Sequence, residues 1–227
     1  MSEVDARVAK ALRVQLQSWR SALAAGASRV GWKIGLNIPE VQERLGLREP
    51  VIGHLTSSTQ LEPGGEYVGG AALELRAEPE VAVEVGRDVP GDVDEETGRE
   101  AIAAYGPAIE LVDVGRPPGD LEGIVAANVF HRAFVLGPSR PALTTEGVAA
   151  EVAVNGERRA EADTPDDFAE VVMLVARLLD AVGERLGRPD HRRIPHRTGA
   201  GRSGRSGDGR PRQAGAGRSS RHVASAA

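Results

Sequence analysis

Two glutamates stand two residues apart in the segment LRAEPEVAVEV (75–85). Side chains alternate across a β-strand, so Glu78 and Glu80 would share one face while the valines of the segment share the other. Mg²⁺ and Mn²⁺ prefer carboxylate oxygens as ligands, so a metal site is one interpretation of the acidic face. A face turned to water is the other interpretation, and the spacing alone leaves both open.

A third acidic residue, Glu110, lies inside the apolar run PAIELV (107–112). A carboxylate buried there without a partner would be costly, so we expect either a metal ion or an arginine beside it. Combined with Glu78 and Glu80, it would supply three carboxylates and leave open coordination positions for a substrate. Glu84 lies about 13 Å along the strand from Glu80, too far to join them.

Hydrophobic periodicity and turn signals predict the elements that must position these residues. The predicted helices cover residues 3–24, 37–46, 94–105 and 164–182. The predicted strands cover residues 31–36, 49–55, 71–76, 78–87, 107–114 and 129–136, and a hairpin covers residues 148–162 with its turn at Asn155-Gly156. Many short strands with few helices indicate an α+β fold that is mainly β.

Composition divides the chain into an N-terminal helical segment (1–30), a folded body (31–186) and a basic tail (187–227). Residues 1–186 hold 18 Arg and Lys against 31 Asp and Glu, a net charge of −13, while the tail holds ten Arg against two Asp, a net charge of +8. The acidic body argues against nucleic acid as a partner. The tail has only two large apolar residues, so we expect it to be disordered.

Two further interpretations of the tail remain open. An arginine-rich segment is typical of RNA binding, although no aromatic residues interleave these arginines. GC-rich coding DNA read one base out of frame also produces Arg, Gly, Ala, Pro and Ser strings of this kind. A back-translation with permissible codons, shifted by one base, gives a peptide with strand alternation and turn glycines. Sequencing the DNA across codons 185–195 tests this frameshift hypothesis.

The residues that the chain lacks exclude several classes of protein. The absence of cysteine excludes disulfides, thiolate metal sites and a cysteine nucleophile. No apolar run approaches the roughly 20 residues that span a bilayer, and the N-terminus has no signal-peptide pattern. We therefore expect a soluble, cytoplasmic protein with no membrane partner.

Five motifs resemble those of a known family: GWKIGL, EPVIGHL, LRAEPEVAVEVGRDV, PAIELVD and ANVFHRAFVLG. Their order and spacing are similar to those of the 2-keto-4-pentenoate hydratases, which belong with the 2-oxo-3-enedioate decarboxylases to the fumarylacetoacetate hydrolase superfamily. The resemblance covers residues 5–186. It implies a β-roll with peripheral helices and a metal-binding catalytic domain, in a protein that forms homo-oligomers.

The resemblance also implies roles for individual residues. The family's metal-binding glutamates map onto Glu78, Glu80 and Glu110, which would bind Mg²⁺ or Mn²⁺. The active-site lysine maps onto Lys33, and an asparagine near the substrate maps onto Asn128. On the residues alone, Lys33 is either a surface lysine or a desolvated amine, and Asn128 is equally well a turn residue.

The chain departs from the family pattern at several positions. Val51 stands where the hydratases carry an acidic residue, so we expect His54, three residues on, to substitute as a catalytic group. His131 lies on a predicted strand, where we expect a structural histidine. The family also closes its pocket with C-terminal strands that bear an L-T-G-like turn. We expect these strands to be missing here, and the one-base shift restores such a turn.

The activity implied is hydration of a 2-hydroxy-2,4-dienoate to a 4-hydroxy-2-oxo acid in aromatic meta-cleavage catabolism. The metal would act as Lewis acid and template, and Lys33 or a residue near His54 would assist the addition of water. Decarboxylation of a 2-oxo-3-enedioate at the same site is an alternative, towards which Val51 tilts the prediction. An inactive remnant with an unclosed pocket is a second alternative.

Overall fold

The structure, a computed structural model, describes residues 4–69, 73–115, 120–141, 145, 148–165, 167–187 and 223–226. The helices are α1 (Ala6–Ala24), α2 (Pro39–Leu45), α3 (Glu95–Glu100), α4 (Leu121–Ala126) and α5 (Ala169–Asp180). The strands are β1 (Arg29–Gly35), β2 (Val51–Thr56), β3 (Gln60–Leu61), β4 (Leu75–Val85), β5 (Ile102–Asp113), β6 (His131–Leu136), β7 (Ala149–Val154), β8 (Glu157–Asp163) and β9 (Val223–Ala226). Within these ranges, no helix has the length and apolar character needed to cross a membrane.

Seven strands form one sheet of mixed orientation, in the order β2-β1-β9-β4-β5-β6-β3. Strands β1 and β9 pair in parallel, as do β3 and β6, while the other neighbours pair antiparallel. Strands β7 and β8 form a separate hairpin. Asn155 and Gly156 occupy its turn with φ of 54° and 79°, as the Asn-Gly signal predicted. The mixture of helices and a mainly antiparallel sheet confirms the α+β class.

The core lies between the helices and one face of the sheet. Asp5 begins α1 by accepting a hydrogen bond from the backbone N–H of Arg7. Trp19 on α1 packs on Trp32 of β1, with ring centroids 5.4 Å apart. The side-chain amide of Gln15, fully buried, donates to the backbone oxygen of Ile52 and to that of Val125 in α4. Helix α1 is thereby fixed to both β2 and α4.

Strand β4 is one continuous strand of 11 residues, not the two strands predicted over 71–76 and 78–87. It pairs with β5 along almost its whole length. Val83 and Val85 face the core as the alternation predicted, with exposures of 0% and 3%. The opposite face is buried in part as well, because Glu80 and Ala82 are 8% and 7% exposed. The acidic face of β4 therefore does not simply meet water.

The helix predicted over 94–105 is wrong beyond Glu100. Residues from Ile102 onwards belong to β5, where Ile102 pairs with Val85 of β4. Local helix propensity gives way here because pairing with a long neighbouring strand satisfies the backbone and buries Ile102. Helix α5 begins at Ala169 and not at the predicted residue 164. At this start of the helix, the side chain of Asp167 accepts a hydrogen bond from the Ala169 backbone N–H. Helix α4 was not predicted.

The end of the chain contributes a strand. Strand β9 inserts between β1 and β4, pairing Ala224 with Trp32 on one side and with Val83 on the other. This differs from the disorder predicted for 187–227, because the backbone of these four residues pairs with the strands on both sides. The rest of that prediction, over 188–222 and at residue 227, lies outside the described residues.

Candidate metal centre

Three carboxylates from two neighbouring strands meet at one place. Glu78 and Glu80 on β4 and Glu110 on β5 each supply an oxygen, and these oxygens lie within 4.8 Å of one another. The antiparallel register sets Glu78 directly opposite Glu110, and alternation carries Glu80 to the same face. The structure thus brings together the three residues that were predicted as metal ligands.

The two oxygens of Glu110 have different surroundings. Oε1 lies 2.7 Å from the Lys33 Nζ and 2.7 Å from the His131 Nδ1. Oε2 is buried and has no hydrogen-bond partner among the described residues. An oxygen buried without a donor carries a desolvation cost, which a bound cation would offset. The orphaned oxygen and the all-carboxylate donor set both fit a hard cation such as Mg²⁺ or Mn²⁺.

Lys33 is buried, with an exposure of 2%. Its ammonium group donates to the backbone oxygen of Val129 at 2.9 Å and pairs with Glu110. Of the two interpretations that the sequence left open, the structure therefore supports the desolvated amine and not the surface lysine. The chain positions this amine directly beside the carboxylate cluster.

The pKa of Glu78 reflects its burial and the charged groups close to it in the cluster. Burial raises the pKa of the Glu78 carboxyl above its ordinary value, the ammonium of Lys33 opposes that rise, and the nearby Glu110 carboxylate adds to it. Arg76, on the same face of β4, makes a smaller contribution that lowers the pKa. Negative charge at this site is therefore costly to hold without a nearby positive charge.

A cavity of about 800 Å³ opens beside the cluster. Its lining includes Glu78, Glu80 and Lys33, together with Arg44 from α2 and Val129 from the turn after α4. The volume lies within the range of about 300–1,000 Å³ that is typical of small-molecule sites. A small organic acid would have room here to approach the carboxylates and the amine together.

Asn128 holds the turn that carries Val129. Its side-chain Oδ1 accepts from the His54 backbone N–H at 2.7 Å, and its Nδ2 donates to the His54 backbone oxygen at 3.0 Å. Asn128, Val129 and Phe130 all have positive φ, between 51° and 64°, which is a genuine outlier for the β-branched valine. The Asn128 amide is thus occupied by backbone contacts, and contact with a substrate stays a prediction.

The other predicted catalytic residue, His54, faces away from the cluster. It lies opposite Trp32 in the β1–β2 register, while Lys33 lies opposite Gly53, so the two side chains leave opposite faces of the sheet. Burial, and next the charge of His131, lowers the pKa of His54 to about 4. The ring is therefore neutral at pH 7, and its catalytic role stays a prediction.

His131 was predicted to be a structural histidine, but the structure places it against a predicted metal ligand. Its ring lies between Glu110 and the hydroxyl of Thr59. Thr59 was not singled out from the sequence, and no local pattern indicates its contact with a residue so far along the chain.

No protein-family model matches the chain. The TodF product hydratase of Pseudomonas putida strain F1 is 34% identical over 140 residues, which cover 60% of this chain and 52% of the relative. The 2-hydroxypent-2,4-dienoate hydratase of Pseudomonas putida is 30% identical over 158 residues, which cover 65% of this chain and 70% of the relative. The chain spans about half the length of several curated relatives that it matches, with shares of 44%, 52% and 50%.

Two solved structures of 4-oxalocrotonate decarboxylase from Pseudomonas putida G7 share the fold. One is complexed with calcium and acetate and matches with a TM-score of 0.66 at 24% identity, covering 79% of this chain and 71% of the other. The second is complexed with magnesium and adipate and matches with a TM-score of 0.63 at 23% identity, covering 79% of this chain and 72% of the other.

Proposed function

We propose a function from the family to which the chain belongs, the 2-keto-4-pentenoate hydratase and 2-oxo-3-enedioate decarboxylase group of the fumarylacetoacetate hydrolase superfamily. The proposed activity is that of a metal-dependent hydro-lyase in the breakdown of aromatic compounds. It adds water to a 2-hydroxy-2,4-dienoate and yields a 4-hydroxy-2-oxo acid. The relatives named as hydratases support the reaction class.

One observation carries the proposal: three carboxylates converge beside a cavity, and one of their oxygens is buried without a donor. We propose that Glu78, Glu80 and Glu110 hold Mg²⁺ or Mn²⁺. When bound, the metal would supply Lewis acidity and a template for the oxygens of a 2-oxo acid. The magnesium in the decarboxylase structure supports the choice of a hard divalent cation.

Lys33 is the group that we propose to handle the proton. Its Nζ is held between the Glu110 carboxylate and the Val129 backbone oxygen, so the amine has a fixed position at the cavity wall. The ammonium can give a proton to a substrate carbon, and the amine so formed can take one from an attacking water, provided each lies within hydrogen-bond reach.

Decarboxylation of a 2-oxo-3-enedioate is the second candidate function, and the cavity lining favours it in one respect. Arg44 and Arg76 line the cavity that contains the carboxylates. A guanidinium group there would pair with the second carboxylate of a dicarboxylic substrate. The adipate bound in the related decarboxylase structure is such a dicarboxylate.

A direct assay tests the proposal. The chain is mixed with 2-hydroxypenta-2,4-dienoate and Mg²⁺ or Mn²⁺, and the products are identified by NMR. We expect a 4-hydroxy-2-oxo acid, and we expect Glu80→Gln to abolish metal-dependent turnover. Glu84→Gln is the matched control, because Glu84 lies on the same strand but accepts a hydrogen bond from Ser139 outside the cluster.

Three results would contradict the proposal. Unchanged turnover and metal affinity in Glu80→Gln would refute the ligand assignment. Absence of turnover in the unaltered chain, combined with turnover in a chain carrying the frame-corrected C-terminus, would identify an inactive remnant. Release of CO₂ from a 2-oxo-3-enedioate, without hydration of the monocarboxylic dienoate, would establish the decarboxylase.

A further inference from the structure

His131 makes two polar contacts deep in the protein. It is 6% exposed, its Nδ1 lies 2.7 Å from the Glu110 Oε1, and its Nε2 lies 3.0 Å from the Thr59 Oγ1. A carboxylate oxygen only accepts hydrogen bonds, so Nδ1 carries a proton towards Glu110, while Nε2 lies within hydrogen-bond distance of the Thr59 hydroxyl, which also donates to the Thr56 backbone oxygen at 3.3 Å. The ring is thus held at both of its nitrogens.

A break in strand pairing turns His131 towards Glu110. Strands β5 and β6 pair regularly from Ala108 and Leu136 to Leu111 and Ala133, and the next pair is Val112 with His131, so that one residue of β6 is skipped. With unbroken register, His131 would lie opposite Asp113, on the face away from Glu110. The bulge therefore moves the imidazole to the face that carries the carboxylates.

The two carboxylate oxygens of Glu110 have different contacts and therefore different roles. Oε1 already receives two donors, from His131 and from Lys33, and it has two lone pairs to offer. Oε2 has no hydrogen-bond partner among the described residues. The hydrogen bond from the His131 ring to Oε1 restricts rotation of the Glu110 carboxylate about its Cγ–Cδ bond. Oε2 is therefore the oxygen that is available to bind a cation.

We propose that His131 is a positioning residue for the metal site: its Nδ1–H holds Oε1 of Glu110, so that Oε2 is presented as a single-oxygen ligand. The inference rests on the proposed function, because it takes Glu110 to be a metal ligand. Partners that orient a ligand in this way typically change metal affinity by about 10- to 100-fold when they are lost. Thr59 has an indirect role, because its hydroxyl fixes the orientation of the His131 ring.

Mn²⁺ binding to the full chain tests the inference without any substrate. The free Mn²⁺ signal in electron paramagnetic resonance gives the dissociation constant, and thermal unfolding of the metal-free protein gives stability separately. We expect His131→Leu to weaken Mn²⁺ binding by about 10- to 100-fold. We expect His131→Asn to restore most of the affinity, because its amide provides an N–H donor near the position of Nδ1.

A structural role alone predicts a different pattern, in which both variants lower the unfolding temperature while Mn²⁺ affinity stays within about twofold of the unaltered chain. That result would overturn the inference and leave the proposed function standing. Absence of Mn²⁺ binding in the unaltered chain would overturn the metal site itself, and the inference with it.

A second pair of variants decides the question if His131→Leu does not fold. Thr59→Val removes the hydroxyl that holds Nε2, while Thr59→Ser keeps it, and Thr59 lies near the surface in a turn. We expect about a 2- to 10-fold loss of Mn²⁺ affinity in Thr59→Val, the effect of one ordinary hydrogen bond, and none in Thr59→Ser. Equal affinities in the two variants would overturn the inference.

Discussion

Lys33 and Glu110 form a buried ion pair, with 2.7 Å between Nζ and Oε1, although their strands are not neighbours in the sheet. Strands β9 and β4 lie between β1 and β5. Three strand spacings would separate the two backbones by about 14 Å in a flat sheet, farther than the two side chains can bridge directly. The ion pair therefore joins side chains from two strands that are separated in the sheet by two others.

Replacement of Lys33 by Met should separate catalysis from metal binding. We expect turnover to fall by about 100-fold or more, because a proton-handling group is lost while the three carboxylates remain. The metal-free variant should also lose about 3 kcal/mol of unfolding free energy, since the buried Glu110 carboxylate loses this partner. Assays of turnover, Mn²⁺ titration and denaturant unfolding measure the three effects.

Unfolding of Lys33→Met in the presence of Mn²⁺ checks whether the metal binds at Glu110. A cation bound at Oε2 would compensate the Glu110 charge, so Mn²⁺ should raise the unfolding temperature more in Lys33→Met than in the unaltered chain. Lys10→Met, on the exposed face of α1, is the matched control. An Lys33→Met variant with normal turnover would remove the amine from the mechanism.

Replacement of Gly53 by Ala should disturb the carboxylate cluster indirectly, by displacing Lys33. A Cβ at this position would lie 2.7 Å from the Asn128 Oδ1 and 3.0 Å from the Lys33 Cγ. We expect a loss of about 1–3 kcal/mol in unfolding free energy, as is usual for overpacking, and reduced turnover because Lys33 is displaced. Denaturant unfolding and the hydration assay report the two effects.

The double variant Gly53→Ala, Asn128→Gly identifies the source of the strain. Glycine tolerates the positive φ of residue 128 and removes the amide that the new methyl group meets. Gly53→Ala should therefore cost less stability in the Asn128→Gly background than in the unaltered chain. Equal costs in both backgrounds would show that the clash lies elsewhere.

His54 should make stability depend on pH below neutrality. Its pKa is about 4 in the folded chain and about 6.5 when unfolded, so the unfolded state binds a proton between these values that the folded state does not. Unfolding free energy therefore decreases as pH falls through this window, by about 2 kcal/mol between pH 7 and pH 5. Urea unfolding at both pH values measures the change.

His54→Phe isolates this contribution, because the carboxylates titrate in the same way in both proteins. We expect the variant to lose about 2 kcal/mol less than the unaltered chain between pH 7 and pH 5. Parallel pH profiles for the two proteins would show that the His54 ring is solvated and titrates normally. Turnover of the same variant at pH 7 tests the predicted catalytic role of His54.

Arg44 should distinguish dicarboxylic from monocarboxylic substrates. It lines the cavity from α2, and a charge-assisted hydrogen bond to a distal carboxylate would lower KM. We expect Arg44→Ala to raise KM for a 2-oxo-3-enedioate by about tenfold and to leave KM for 2-hydroxypenta-2,4-dienoate unchanged. Arg48→Ala is the control, because Arg48 lines a different cavity. Equal changes for both substrates would refute a role in selectivity.

The carboxylate cluster was predictable from two local signals combined with the family resemblance. Alternation along β4 puts Glu78 and Glu80 on one face, and an apolar run around Glu110 marks a buried strand. That these two strands are neighbours follows from the family resemblance. The hairpin turn at Asn155-Gly156 was also predictable from a local signal, the Asn-Gly pair itself.

The parts that could not be predicted depend on pairing between distant segments. Residues 102–105 have helix-forming alanines, and only the presence of β4 alongside makes them a strand. The skipped residue in β6, which turns His131 towards Glu110, depends on the register with β5. Neither effect has a signature within a window of a few residues, so periodicity alone assigns these positions wrongly.

Strand β9 has a consequence for how the protein is made. It is synthesised after every other described strand, yet it lies inside the sheet, between β1 and β4. Until residues 223–226 leave the ribosome, β1 and β4 lack the partner that lies between them in the folded sheet. Contacts between segments so distant in sequence form slowly. During that interval the open edges of β1 and β4 are exposed to pairing with other chains, which makes aggregation during synthesis the characteristic hazard of this topology.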